Sequence, residues 1–310
     1  MSKPFRFTVQ ASHLEAPEDL LPIARKAEDV GVSVLTVADH VDDQLAPIAS
    51  LMAVADHTTR LRVGVLVFAN DHRHPAVLAK EMATVDRLSD GRLEFGLGAG
   101  WMATDYDAIG VPFDRPGVRI ERLDEALEII VRLWGAGPVD FDGTHYRITS
   151  LDGLPKPLQK PRPPIVVGGG GRRVLELAAR RADIVGLNPS LAAGVIDARA
   201  GASATWEATE EKLRWIRDAA GSRFDRLELA TRIHLAAVTP DRDTLYDTMA
   251  EGFGMTPDEA RRSPHALIGT VEQIVDDLVE RRDGLGISNI GLSANSLDDL
   301  RPVIERLSGT

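Results

Sequence analysis

Short runs of valine, isoleucine and leucine recur along this chain, separated by longer stretches in which apolar residues return every third or fourth position. The runs at residues 5–9, 34–37, 61–68, 93–97, 165–167, 184–187, 227–238 and 287–292 are strand candidates. Most are continuously apolar rather than alternating, as parallel strands buried on both faces require. Helices are predicted between them over residues 17–30, 46–58, 75–88, 118–133, 172–181, 203–220 and 271–283. Leu123, Leu127, Ile130 and Trp134 fall on one face of the fourth of these. Eight strands alternating with helices predict an α/β protein of the TIM (β/α)8 barrel class, with a doubly wound open sheet as the competing topology. The connections over residues 98–164 and 188–226 are too long for a minimal barrel. Both follow strand C-termini, so they are expected to be functional insertions within a single domain spanning residues 1–310. The stretch GPVDFDGTHYRITSLDGLPKPLQKPRPP is rich in turn formers and proline, which predicts extended rather than helical structure.

Composition narrows the choice of partners. The 310 residues are 44% hydrophobic and 27% charged, enough for a large core under a well-solvated surface. Lys+Arg number 36 against 47 Asp+Glu, a formal charge of −11. A surplus of negative charge disfavours nucleic acid and anionic membrane as partners. No cysteine is present, which removes disulfides, thiolate metal sites and thiol nucleophiles together. No apolar run approaches the roughly 18 residues a bilayer span needs, and MSKPFRF leads straight into a strand pattern. The expectation is a soluble, cytoplasmic protein with a small-molecule substrate.

Two glycine clusters close strand candidates. In GLGAGW, Gly98, Ala99, Gly100 and Trp101 follow the fourth strand. The spacing is not the dinucleotide fingerprint. Glycines here either admit a flat ring close to the backbone or form a bulge and turn at the barrel rim. Trp101 is either a lid over a ring or a core residue. In GGGGRR, Gly168, Gly169, Gly170 and Gly171 precede Arg172 and a helix. Converging backbone N–H groups at a helix N-terminus make an anion site, with a flexible turn as the alternative.

Asp39 and His40 end the second strand candidate. Either they act as a hydrogen-bonded proton-transfer pair, or the aspartate caps the next turn. His72 and His74 in NDHRHP have metal-like spacing, but further ligands at other strand ends are lacking, and His74 before Pro75 reads as a helix cap. No metal is expected. His13 and His234 lie in or beyond strands and Asn295 beyond the last one; all three are candidate substrate contacts.

Several segments in this order and spacing resemble the luciferase-like flavin and deazaflavin oxidoreductase superfamily. They are HPAVLAKEMATVDRLSDGRLEFGLGAGW (residues 74–101), YDAIGVPFDRPGVRIERLDEALEIIVRLW (106–134), FDGTHYRI (141–148) and PKPLQKPRPPIVVGGGGRRVLELAARRADIVG (155–186). Within the superfamily the chain is similar to the F420-dependent branch, whose coenzyme is an 8-hydroxy-5-deazaflavin. The resemblance implies a bacterial-luciferase-like barrel, hydride transfer at C5 of the deazaflavin, and a homodimer. It implies that Asp39 and His40 sit beside the ring. It further implies that Val65 and Val67 belong to the strand-three bulge on which the ring rests, with Asn70 just past it. Some members carry a non-prolyl cis peptide there, which would fall within residues 64–67. Gly98 to Trp101 would lie along the coenzyme, and Gly168 to Arg172 would hold its phosphate.

The sequence departs from the sugar-phosphate dehydrogenase members in one place. They carry a glutamate proton donor directly after the strand-four glycines, where this chain has Trp101, and their phosphate-binding lysines and arginine have no match here. That leaves His40 as the acid/base. The functional expectation is an F420-dependent oxidoreductase acting on a small organic substrate. The alternatives are an FMN-dependent monooxygenase using oxygen on the same scaffold, and a cofactor-binding protein without turnover.

Overall fold

The computed structural model describes residues 3–12, 14–190 and 198–310; His13 lies outside them. In chain order the strands are β1 (Arg6–Gln10), β2 (Val34–Val37), β3 (Arg62–Val65), β4 (Phe68–Ala69), β5 (Leu93–Gly98), β6 (Pro138–Asp142), β7 (Arg147–Asp152), β8 (Ile165–Gly169), β9 (Ile184–Leu187), β10 (Glu228–Arg232), β11 (Leu235–Val238), β12 (Ala266–Gly269) and β13 (Ile287–Ser293). The helices are α1 (Leu20–Asp29), α2 (Pro47–His57), α3 (Pro75–Leu88), α4 (Ala103–Ile109), α5 (Pro116–Trp134), α6 (Arg172–Arg181), α7 (Ala198–Ala202), α8 (Trp206–Ala220), α9 (Arg242–Phe253), α10 (Pro257–Arg262), α11 (Val271–Leu285) and α12 (Arg301–Leu307). The parallel strands β1, β2, β3 with β4, β5, β8, β9, β10 and β13 alternate with helices along the chain, which is the (β/α)8 pattern.

By its internal contacts the chain divides into two compact units. The first comprises residues 11–25 and 34–167. In it β2 pairs with β3, β3 and β4 with β5, and β5 with β8, all parallel. Leu35, Val63, Phe68, Phe95 and Leu97 fill its interior. The predicted apolar face of α5 is buried throughout, at 3% exposure or less for Leu123, Leu127, Ile130 and Trp134. Full burial of such a side chain stabilises by roughly 1.5–3 kcal/mol. The second unit comprises residues 1–10, 26–33 and 168–310. Its strands β1 and β10 flank β13, and β9 pairs with β10, again in parallel. A separate parallel pair, β11 and β12, belongs to a small core with Tyr246, Met249, Ala260 and Ile268.

Three strand predictions change in detail. The run at 61–68 is two strands, because the chain between them turns aside: Leu66 N–H donates to the Val37 carbonyl and Ala69 N–H to the Asp39 carboxylate. The Leu66–Val67 peptide is cis, within the segment where the resemblance locates such a bond. The run at 227–238 also divides. Ile233 N–H still donates to Gly291 on β13, but His234 N–H donates to the His265 carbonyl, and β11 continues beside β12. Finally, the turn-rich stretch after α5 contains an antiparallel hairpin, β6 and β7. Its turn is held by Glu125, whose carboxylate accepts from the Thr144, His145 and Tyr146 N–H groups at 2.8–3.1 Å.

Candidate active site

In the first unit the functional side chains gather at the C-terminal end of β2. Asp39 is 7% exposed and its carboxylate is fully committed. It receives both terminal nitrogens of Arg73 at 2.6 and 2.9 Å and the Ala69 N–H at 3.0 Å. Its work is therefore to fix the turn that follows β3 and β4. The expected Asp39–His40 pair does not form, because neighbours in extended chain point to opposite sides.

His40 turns instead toward α4. Its Nδ1 lies 2.6 Å from Oδ2 of Asp105, a carboxylate on a residue only 5% exposed. A buried carboxylate on one ring nitrogen fixes the ring's orientation and places a proton on that nitrogen, leaving the other to exchange protons. Nε2 makes no hydrogen bond among the described residues, and the side chain keeps 19% of its surface exposed. Trp101 stands edge-on to the imidazole at 6.0 Å, so it is a wall beside His40 rather than a core residue.

The glycines at the end of β5 answer mainly to the protein itself. A Cβ on Gly96 would stand 2.0 Å from the Val65 carbonyl oxygen, and one on Gly98 would stand 2.6 Å from a Val67 methyl. Gly100 has φ +72° and faces the Tyr106 hydroxyl, where a Cβ would come within 1.9 Å. The bulge-and-turn reading of GLGAGW therefore holds for these glycines. The Ala99 carbonyl accepts from Tyr106 at 3.3 Å and from Arg119 at 3.2 Å, and the Gly100 carbonyl accepts from Arg119 as well.

Of the residues expected beneath the ring, Val65 is 2% exposed and offers almost no surface. Leu66 and Val67 are half-buried and present their faces. Asn70 is 1% exposed, and its amide donates to the Tyr146 hydroxyl at 3.0 Å and to Asp71 at 3.3 Å. These bonds tie the turn after β4 to the hairpin. Asp71 also takes Arg122 at 2.9 Å and the Tyr106 hydroxyl at 3.2 Å. Burial and that carboxylate push the Tyr106 phenol well above its ordinary range, so it stays a donor. His74 caps α3 as predicted, accepting from the Ala76 N–H. The described residues contain no cluster of His, Cys, Asp or Glu with metal-binding geometry.

In the second unit, Gly168 and Gly169 belong to β8 rather than to a loop, and Gly171 caps α6 without a side-chain hydrogen bond. A Cβ on Gly170 would strike the Pro189 carbonyl at 2.3 Å, and one on Gly169 would strike Val174 at 2.3 Å. Only Gly171 of the four faces open space. Arg172 makes an exposed pair with Glu176 at 2.7 Å. His234 is exposed beside His265, with ring centroids 5.7 Å apart. Partial loss of hydration beside the neighbouring protein and the Arg232 charge lower its pKa below the ordinary value. Asn295 is exposed in the turn after β13.

The pattern of strand, bulge and glycines has a counterpart among known proteins. A family model described as luciferase-like monooxygenase matches residues 2–204. The chain belongs to that family. Its match with the F420-dependent glucose-6-phosphate dehydrogenase of Amycolatopsis mediterranei is 32% identical over 175 residues, 54% of this chain and 52% of the relative. Its match with the FMNH(2)-dependent dimethylsulfone monooxygenase of Pseudomonas putida is 28% identical over 222 residues, 70% of this chain and 59% of the relative. The chain thus spans little more than half the length of these curated relatives. Among solved structures, the coenzyme F420 dependent tetrahydromethanopterin reductase from Methanopyrus kandleri superposes with a TM-score of 0.77 at 18% identity, covering 98% of this chain and 97% of that one. The fold is the (β/α)8 barrel of the luciferase-like family. No helix among the described residues is long and apolar enough to cross a membrane.

Sequence reasoning missed Asp105, Arg73 and Arg119. The first had a legible signal, an acid in the opening turn of the helix that follows GLGAGW. The other two lie in segments read for capping or for helix alone, and only tertiary packing brings them to the strand ends.

Proposed function

We propose that this chain is an oxidoreductase that uses a deazaflavin coenzyme of the F420 type to transfer a hydride to or from a small organic substrate. The observation that carries the reading is the His40–Asp105 dyad: an imidazole oriented by a buried carboxylate, with its second nitrogen unbonded among the described residues and an aromatic wall beside it. The donor set suits a flat, largely apolar ring with one edge that exchanges a proton. Leu66 and Val67 supply half-buried apolar surface after β3, and His40 supplies the proton-handling nitrogen. A bound deazaflavin contributes two-electron hydride chemistry at carbon with little reactivity toward oxygen. The protein's part is orientation and proton transfer. His40 gives or takes the proton, and Asp105 stabilises the imidazolium. Asp39 and Arg73 hold the turn after β4 rigid. The uncapped N-terminus of α6 at Gly171 is read as an anion site, with backbone N–H groups as the donors.

FMN is the second reading, supported by the 28% match to the Pseudomonas putida monooxygenase. Separate titrations of purified protein with F420 and with FMN distinguish the two. Micromolar or tighter F420 binding with no comparable FMN binding is expected. Tight FMN binding with NAD(P)H-driven oxygen consumption, and no F420 binding, overturns the proposal.

A further inference from the structure

Within the second unit, α9, α11 and β12 enclose three donor atoms that make no hydrogen bond among the described residues: Nη1 of Arg281, the Tyr246 hydroxyl and Nε of Arg242. Arg281 is 2% exposed and Tyr246 is wholly buried.

The surrounding contacts bring these groups together. Arg281 extends from α11 and donates through Nη2 to the Ala266 carbonyl at the start of β12, at 2.7 Å. Tyr246 packs in the small core that contains the same Ala266, and it exerts the largest charge effect on Arg281. Arg242 precedes Tyr246 by one turn of α9, with its guanidinium carbon 5.5 Å from the centre of the phenol ring. Its Nη2 donates to Asp277 at 2.8 Å, and Asp277 stands one turn before Arg281 on α11. The circuit from Tyr246 through Arg242 and Asp277 to Arg281 is thus closed.

Charges around that circuit do not cancel. Two guanidiniums face one carboxylate, and Arg281 forms no ion pair among the described residues. Glu280, beside it on α11, is exposed and screened by water. His265, close enough to sense the Arg281 charge, is held neutral by burial. A buried cation without a counter-charge costs stability, and so does each buried donor without an acceptor. One water has two lone pairs for three donors and leaves the charge as it was. A monovalent anion accepts from all three and supplies the missing charge. Each of the three atoms exposes less than 1 Å². An occupant is therefore enclosed, which favours a monatomic ion over a carboxylate or phosphate.

We propose that Arg281, Tyr246 and Arg242 bind a halide ion, chloride under ordinary conditions, that locks α9 and α11 against β12. The site is independent of the oxidoreductase reading. A ligand of the native state stabilises it by mass action, so the halide dependence of melting is the test. The full chain is refolded without halide and melted in sodium gluconate. Chloride or bromide then replaces gluconate at constant ionic strength, from micromolar levels upward. The wild-type Tm is expected to rise about 2–4 °C for each tenfold increase in halide above the dissociation constant. Arg281→Met should abolish that gain. Tyr246→Phe keeps the ring and loses one donor, so it should need about tenfold more halide for the same gain; it decides the matter alone if Arg281→Met does not fold. Crystals grown in bromide are expected to give an anomalous peak against Arg281 Nη1 and the Tyr246 hydroxyl. A wild type indifferent to halide overturns the proposal and leaves water as the partner of these donors. A halide gain undiminished in Tyr246→Phe, or a bromide crystal with no peak there, overturns it as well.

Discussion

The C-terminal strand ends of the two units treat charge in opposite ways. In the first unit every acid described there has a cationic or imidazole partner: Asp39 with Arg73, Asp71 with Arg122, Asp105 with His40. In the second unit, Arg232 donates to the neutral amide of Gln10 and Lys212 to the Asn188 and Ser203 carbonyls. Paired charges lock a geometry in advance, which is what a group that handles protons requires. The first region is thus held by ion pairs, the second by neutral acceptors.

Breaking the first region should produce the largest effects. His40→Ala is expected to lower turnover about 10²–10⁴-fold, the usual contribution of a positioned acid/base, while coenzyme affinity changes no more than about threefold. Steady-state kinetics alongside a coenzyme titration check this, and unchanged turnover removes His40 from its role. Gly96→Ala drives a Cβ to 2.0 Å from the Val65 carbonyl and should cost roughly 2–3 kcal/mol of stability, read from denaturant midpoints. Asp105→Asn keeps the shape but loses the charge that orients the imidazole; kcat should fall roughly tenfold or more with KM little altered. Asp39→Asn leaves Arg73, 26% exposed, without its counter-ion, for a loss of about 2 kcal/mol after allowance for solvent.

The smallest effect sharpens the second region. His265 is held neutral with its folded value near 3, below the ordinary 6.5. Between those values the unfolded chain binds more protons than the native one, so stability falls as pH drops below about 6.5. At pH 5.5 the loss attributable to this residue is about 1 kcal/mol, and His265→Asn should flatten the stability–pH curve there. An unchanged slope in the variant would show that the acid sensitivity lies elsewhere.

Periodicity made the framework legible. The spacing of Leu123, Leu127, Ile130 and Trp134 marked a buried helix face, and Pro75 with His74 marked the start of α3 to the residue. The break at Leu66–Val67 was not legible, since a strand that changes its hydrogen-bond partner can remain continuously apolar, and nothing in LELATRIHLAAV marks the change of partner at His234. The site was legible in part. His40 and Trp101 could be located by strand position, but the choice of Asp105 over the adjacent Asp39 depends on which way each side chain faces. The glycine clusters misled in a specific way. Their spacing signals close approach, yet Gly96, Gly98 and Gly170 make room for the chain's own backbone or side chains. Arg232 did carry a signal, a charged residue inside the apolar run at 227–238.

A crystal structure of the protein with F420 bound tests the central claim most directly. The account predicts the deazaflavin ring against Leu66 and Val67, its reactive edge within hydrogen-bond reach of His40 Nε2, about 3 Å or one water away. A ring bound elsewhere, with the His40 imidazole facing nothing but solvent, would contradict it.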